Sequence, residues 1–250
     1  MTNSFINGLW GIYSNKSHWW TRLPKCEKDI RFHQLNPYSP KTVVYIFGEE
    51  NYKRTEDLGF VCKLIDKKPI IWDMEKEQYR HKMEIWKVGL QDFDSVVFLD
   101  WDCIPLKPIP NDFWDVMNQG EPIKTPIFMY HRKHVNRPPD DNRKVSSASF
   151  VYIRGKEHAD KMIKLWEETG RPWKEEVTLS HYIDTLSGGW KGVENYRKHD
   201  PIFYQMSVMY PDKDKSKLIF GHYNHHVIRH LTGNGQGVKE RIDKLAKTLL

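Results

Sequence analysis

Asp100 and Asp102 stand two apart in "DSVVFLDWDCIPLKPIP" (94–110), where a strongly apolar run gives way to prolines. In an extended segment residues two apart point to the same side, so the two carboxylates can converge on one point while Trp101 turns away into packing. Converging carboxylates make a hard oxygen site. Hard divalent ions such as Mg²⁺ and Mn²⁺ take one or two such groups and fill their remaining positions with water and phosphate oxygens. The plainer reading of any Asp-x-Asp is a turn cap followed by a solvated loop residue. Here a buried strand delivers the pair, a basic helix precedes it, and a His-rich strand end comes late in the chain.

The elements that must position the pair are legible from periodicity. In "EKEQYRHKMEIWKVGL" (75–90) Tyr79, Met83, Trp86 and Leu90 fall at helical spacing, so an amphipathic helix leads into the strand. Short β-branched and aromatic runs predict strands over 5–13, 42–47, 60–65 and 95–100. Strands alternating with helices imply an α/β fold with a mostly parallel sheet covered by helices, and such sheets bind ligands beyond the carboxyl ends of their strands. Further on, the pattern predicts a loop over 131–144 around Pro138 and Pro139, a strand over 146–154, and helices over 156–169 and 175–186. It then predicts a turn at Gly188 and Gly189, a strand over 216–223 and a closing helix over 238–250.

Composition narrows the classes. With 250 residues and 39% hydrophobic content, one large domain is expected. The 39 cationic residues against 33 anionic ones give a formal charge of +6, compatible with anionic ligands but far from a histone-like excess. Cys26, Cys62 and Cys103 are widely spaced, odd in number and without a Cys-x-x-Cys pair, which argues against structural zinc and for a reducing compartment. The N-terminal "MTNSFINGLWGIYSNKSHWW" is broken by polar residues before it reaches signal-peptide length, and nowhere do about 18 apolar residues run together. A cytoplasmic protein is the expectation.

The stretch "YRHKMEIWKVGLQDFDSVVFLDWDCIPLKPI" resembles the core of nucleotide-sugar glycosyltransferases with the GT-A fold, of the family-eight or capsular-polysaccharide type. In those enzymes a helix bearing a basic residue leads to a strand ending in Leu-Asp-x-Asp. The resemblance implies a GT-A-like single domain over 1–250, with a nucleotide-sugar-binding half (1–110) and an acceptor-binding half (111–250). It implies Mn²⁺ or Mg²⁺ on the diphosphate of a UDP-sugar, held by Asp100 and Asp102. It also implies a late His as third ligand, for which His222 follows the strand "KLIF" and Gly221, with His225, His226 and His230 as competitors. Lys82, or failing it Arg80, takes the place of the phosphate-binding base. "FINGLWGIYSN" takes that of the nucleoside-contacting loop, with Trp10 and Tyr13, and Asp100 and Trp101 complete the donor contacts. In "VSSASFVYIR", Ser147, Ala148 and Ser149 replace the family's Asn-Ser/Ala-Gly.

An inverting transferase needs a carboxylate or His base at the acceptor hydroxyl, whereas a retaining one works without a dedicated base. Glu175, Glu176 and Asp184 in "KEEVTLSHYID" are the candidates, although Glu175 and Glu176 also fit as acids favoured at a helix N-terminus. The family resemblance favours retention. The basic run "HRKHVNRPPDDNRK" suits an anionic acceptor, either nucleic acid carrying a modified base or a lipid-linked glycan, and equally suits a solvated loop. Two other classes compete. A nucleotidyltransferase or nuclease would need a third carboxylate, for which Glu49 or Glu50 is placed. A non-catalytic carbohydrate- or nucleic-acid-binding module would use the ten Trp and twelve Tyr as stacking platforms. The closing helix is basic and amphipathic, fit to dock on its own domain or to lie on an anionic membrane surface.

Overall fold

The computed structural model describes residues 1–10, 30–69, 78–125, 127–129, 144–146, 148–168, 175–186, 219–222 and 236–249. The central sheet contains β1 (Asn3–Leu9), β2 (Thr42–Phe47), β3 (Val61–Asp66), β4 (Ser95–Leu99), β6 (Ile123–Lys124) and β9 (Phe150–Arg154), in the order β3-β2-β1-β4-β9-β6. The β3/β2, β2/β1 and β1/β4 pairs are parallel; β4/β9 and β9/β6 are antiparallel. The α/β class and the mostly parallel central sheet flanked by helices, expected from the GT-A resemblance, are both present.

Strand alternation places the two cores. Ile6, Val96, Phe98, Val151 and Ile153 face one side, where they pack against α3 (Gln78–Asp92), α5 (Lys156–Glu168) and α6 (Glu175–Leu186) through Trp86, Trp166 and Leu179. Phe5, Val97, Leu99, Phe150 and Tyr152 face the other, against Phe113 and Met117 of α4 (Phe113–Met117). Burying β4 on both faces explains why its sequence reads as an unbroken apolar run. β3 is an edge strand, and its Val61 is 65% exposed.

Most predicted elements lie within a few residues of the observed ones. The expected strand over 146–154 instead divides. β8 (Lys144–Ser146) pairs with β7 (Ile127–Met129), and β9 enters the main sheet. Between them, Ala148 and Ser149 direct their carbonyls to Lys82 and to Asp100, as described below. Two helices carry no apolar stripe that sequence reading would detect: α1 (residues 30–35) and α2 (Glu49–Asp57). α2 is held by Glu49–Lys53 and Glu50–Arg54 pairs at helical spacing and by buried Asn51, whose amide donates to Phe47 O at 2.8 Å.

The closing helix, α7 (Val238–Leu249), docks on its own domain. Val238 and Ile242 are buried, and Asp243 accepts a 2.7 Å hydrogen bond from the Tyr38 hydroxyl. Among the described residues no helix is long and apolar enough to cross a membrane.

Candidate functional site

The sheet order fixes where a ligand crevice must open. The chain runs β1, β2, β3 outward in one direction, then returns through α3 to place β4 on the opposite side of β1. The strand order therefore reverses between β1 and β4, and such a switch point is where open α/β sheets bind ligands. Asp100 directly follows β4, and Trp10 directly follows β1.

Asp100 to Cys103 form a hydrogen-bonded turn, with Cys103 N–H donating to Asp100 O at 2.9 Å. The turn is anchored through Asp100, Trp101 and Cys103. Asp100 N–H donates to Ser149 O at 2.8 Å, across from the β4/β9 ladder. The Trp101 indole N–H donates to Gly8 O at 3.0 Å, and its ring meets His33 and Phe60 edge-on at 5.6 and 6.0 Å. Trp101 thus turns into packing, as its place between two carboxylates requires. β5 (Cys103–Pro105) pairs antiparallel with β10 (Phe220–His222), and the register sets His222 opposite Cys103, next in sequence to Asp102.

Lys82 enters from α3. Its ammonium lies 2.8 Å from Asp100 Oδ2, 3.2 Å from Glu175 Oε1 and 3.3 Å from Ala148 O, with the Phe98 ring 5.3 Å away. Three acceptors match the three protons of an ammonium. Burial pulls the Lys82 pKa down, but Asp100, Glu175 and, less strongly, Glu176 more than reverse this, so the group stays charged. Around Asp100 the balance is acidic. Loss of water pushes its carboxyl up, Lys82 pulls it back, and Asp102 and Glu175 push it up again, leaving it above the usual carboxylate range. Glu175 is 6% exposed, and its Oε2 is buried without a hydrogen-bond partner among the described residues.

A cluster of oxygen donors with more negative charge than its lysine offsets suits a hard divalent cation. Among the described residues no group of three or more His, Cys, Asp or Glu side chains is arranged to hold a metal ion. The side chain of the expected third ligand, His222, lies outside the described residues.

No family model and no curated protein matches the chain. Among solved structures, it is similar to a glycosyltransferase involved in the glycosylation of the major capsid of PBCV-1 (13% identity, TM-score 0.45, covering 99% of this chain and 100% of that one). It is also similar to mouse xyloside xylosyltransferase 1 in its apo form (10%, 0.43, covering 75% and 83%). A third is a CMP:2-keto-3-deoxy-manno-octonic acid synthetase complexed with CTP (9%, 0.40, covering 66% and 78%). At these identities and scores none of them bears on what this chain acts on.

The remaining expected site residues divide by location. Arg80 points away from Lys82, as two positions apart on a helix require, and pairs with Glu84 at 2.8 Å and Glu167 at 3.2 Å. Glu176 sits in the first turn of α6, next to Glu175. Trp10 packs partly buried against the main core. Asp184 lies on α6, with its side chain outside the described residues, as are Tyr13, the 131–143 stretch, His225, His226 and His230.

Two contributors escape sequence reading. Glu175, readable there only as a helix N-terminal acid or a base candidate, is the second carboxylate on Lys82. His33 donates to Trp101 O at 2.8 Å from 68 positions upstream, and nothing local marks it.

Proposed function

We propose that this chain is a divalent-cation-dependent glycosyltransferase that moves a sugar from a nucleotide diphosphate donor, a UDP-sugar, to an acceptor hydroxyl. The observation that carries this reading is the Asp100–Trp101–Asp102 turn at the carboxyl end of β4. It stands at the switch point of the sheet, with Asp100 tied to Ser149 beside β9 and to Lys82 of α3, and Trp101 tied to β1 through Gly8. Residues 1–110 supply the donor side and 111–250 the acceptor side.

Asp100, Asp102 and His222 are the residues to hold Mn²⁺ or Mg²⁺. When bound, the ion supplies Lewis acidity to a leaving diphosphate, worth several kcal/mol. The protein's own contribution is positioning. Lys82 engages Asp100 Oδ2 at 2.8 Å, which fixes the carboxylate. With its protons matched by Asp100, Ala148 and Glu175, Lys82 serves the site through Asp100. Trp10, beyond β1, and Tyr13 are assigned to the nucleoside. Glu176 and Asp184 are assigned to the acceptor side, with retention of configuration.

The nucleotidyltransferase reading loses Glu49 and Glu50 as its third carboxylate. Glu49 and Glu50 lie on α2 with side chains 54% and 65% exposed, paired to Lys53 and Arg54 of the same helix. For the acceptor, the basic run over 131–144 favours an anion, and nucleic acid is the first to test, ahead of a glycan.

Thermal unfolding with and without UDP and Mn²⁺ tests the central reading. A ligand that binds only the folded state at 100 times its Kd adds about 2.7 kcal/mol. A clear rise in Tm that needs both components supports the reading. The absence of any shift with any nucleotide and metal pair overturns it.

A further inference from the structure

In a β-turn closed by a bond between its first and fourth residues, the central peptide is the mobile one. Types I and II differ by a flip of that peptide, through ψ of the second residue and φ of the third. In the turn from Asp100 to Cys103 the central peptide is Trp101 C=O with Asp102 N–H, so its orientation decides where the Asp102 carboxylate points relative to that of Asp100. The Trp101 carbonyl is held by the ring of His33, with Nε2 at 2.8 Å. A carbonyl only accepts, so Nε2 must carry the proton. That leaves Nδ1 as the acceptor facing the Ser39 hydroxyl at 3.5 Å. His33 is 8% exposed. The same segment grips the chain again three residues on, where Asn36 Nδ2–H donates to Pro105 O at 2.9 Å.

We propose that His33 is a positioning residue that latches the central peptide of the carboxylate turn in one orientation, with Asn36 as its second grip, so that Asp100 and Asp102 are presented together to a cation. The inference rests on the reading of that pair as a divalent-cation site. An ordinary buried histidine would satisfy its own ring and contribute only packing. A latch must also set the geometry of the two carboxylates that flank the peptide it holds.

Two measurements decide it. ¹⁵N NMR of the histidine rings in the unmodified protein reads the tautomer directly, and needs neither a variant nor a ligand. The Nε2–H form at His33 is expected, and the Nδ1–H form overturns the latch whatever the protein's activity. Titration with Mn²⁺ in the presence of UDP then compares the parent with His33→Gln, whose amide N–H stands in for Nε2–H, and His33→Leu, which fills space without donating. Binding on the order of tenfold weaker in H33L, largely restored in H33Q, is expected for loss of one buried hydrogen bond. Equal affinity in all three proteins overturns the latch alone. A parent that binds no cation overturns the metal-site reading and the latch's purpose with it.

Discussion

Lys82 Nζ lies 2.8 Å from Asp100 Oδ2, tying the second turn of α3 to the residue that follows β4. The same ammonium is 3.2 Å from Glu175 Oε1. One buried cation thus joins three parts of the chain that are distant in sequence, at the point where the functional turn begins.

Removing one partner of a buried ion pair leaves the other uncompensated, which costs about 3–5 kcal/mol. Lys82→Met is therefore expected to lose that much stability in urea denaturation. Adding Glu175→Gln to it should restore part of the loss, because one of the orphaned carboxylates is gone. Strictly additive losses in the double variant would show that Glu175 and Lys82 do not interact.

The two aspartates should matter to function more than to stability. Asp102→Asn is expected to melt close to the parent. Asp100→Asn should melt no lower, because the acidic surplus already holds its carboxyl above the usual range and Glu175 still faces Lys82. Both should lose the rise in Tm given by UDP with Mn²⁺ and any transfer of sugar. Normal transfer by both variants would remove the pair from the mechanism.

Gly8 couples the core to the site. A Cβ there would stand 2.1 Å from Ile85 Cδ1, while its carbonyl holds the Trp101 indole. Overpacking of this kind costs about 1–3 kcal/mol. Gly8→Ala should lower Tm by several degrees, at about 2–4 °C per kcal/mol for a chain of this size, and should weaken donor binding as Trp101 shifts. A Tm equal to that of the parent would mean that Ile85 moves aside at no cost.

His158 offers a pH test away from the site. It is buried on α5, its Nδ1 2.9 Å from the Tyr182 hydroxyl. Burial lowers its pKa below the ordinary 6.5, with Glu157 opposing and Lys161 and Arg154 reinforcing. A depressed histidine pKa means that the unfolded chain binds the proton more readily, so stability is full above about pH 6.5 and falls as the pH drops toward the folded value. The stability of the parent relative to His158→Gln should decline on acidification below that point. A difference independent of pH between 8 and 5 would show that His158 titrates as it does in the unfolded chain.

The acceptor reading makes a salt prediction. If the 131–144 run grips a nucleic-acid backbone, log affinity should fall with log salt by roughly 0.7–0.9 for each phosphate neutralised. Replacing Arg132, Lys133 and Arg143 together by Ala should flatten that slope and leave donor hydrolysis nearly unchanged. A parent that does not bind DNA at moderate salt would turn the assignment to a glycan.

How much was legible follows the range of the forces involved. β2 and α6 match the sequence reading residue for residue, because alternation and helical periodicity are local properties. α2 was missed, since Glu49, Glu50, Lys53 and Arg54 stabilise it by charge pairs and it has no apolar stripe. The strand predicted over 146–154 divided because β8 pairs with β7 while β9 pairs with β4, partners that no window of sequence contains.

By itself the sequence determined the α/β class, the buried β4 and the carboxylate pair that follows it, because an apolar run ending in Asp-x-Asp is written in consecutive residues. Tertiary structure alone decided what surrounds that pair. The return of β4 to the far side of β1 makes the switch point of the sheet, and the meeting of α3, α6 and the 148–149 backbone around Asp100 takes up the charge of Lys82. The approach of α1 brings His33 to Trp101. Each depends on packing between segments tens of residues apart, where burial makes one ammonium or one imidazole matter and where spacing along the chain carries no record of the contact.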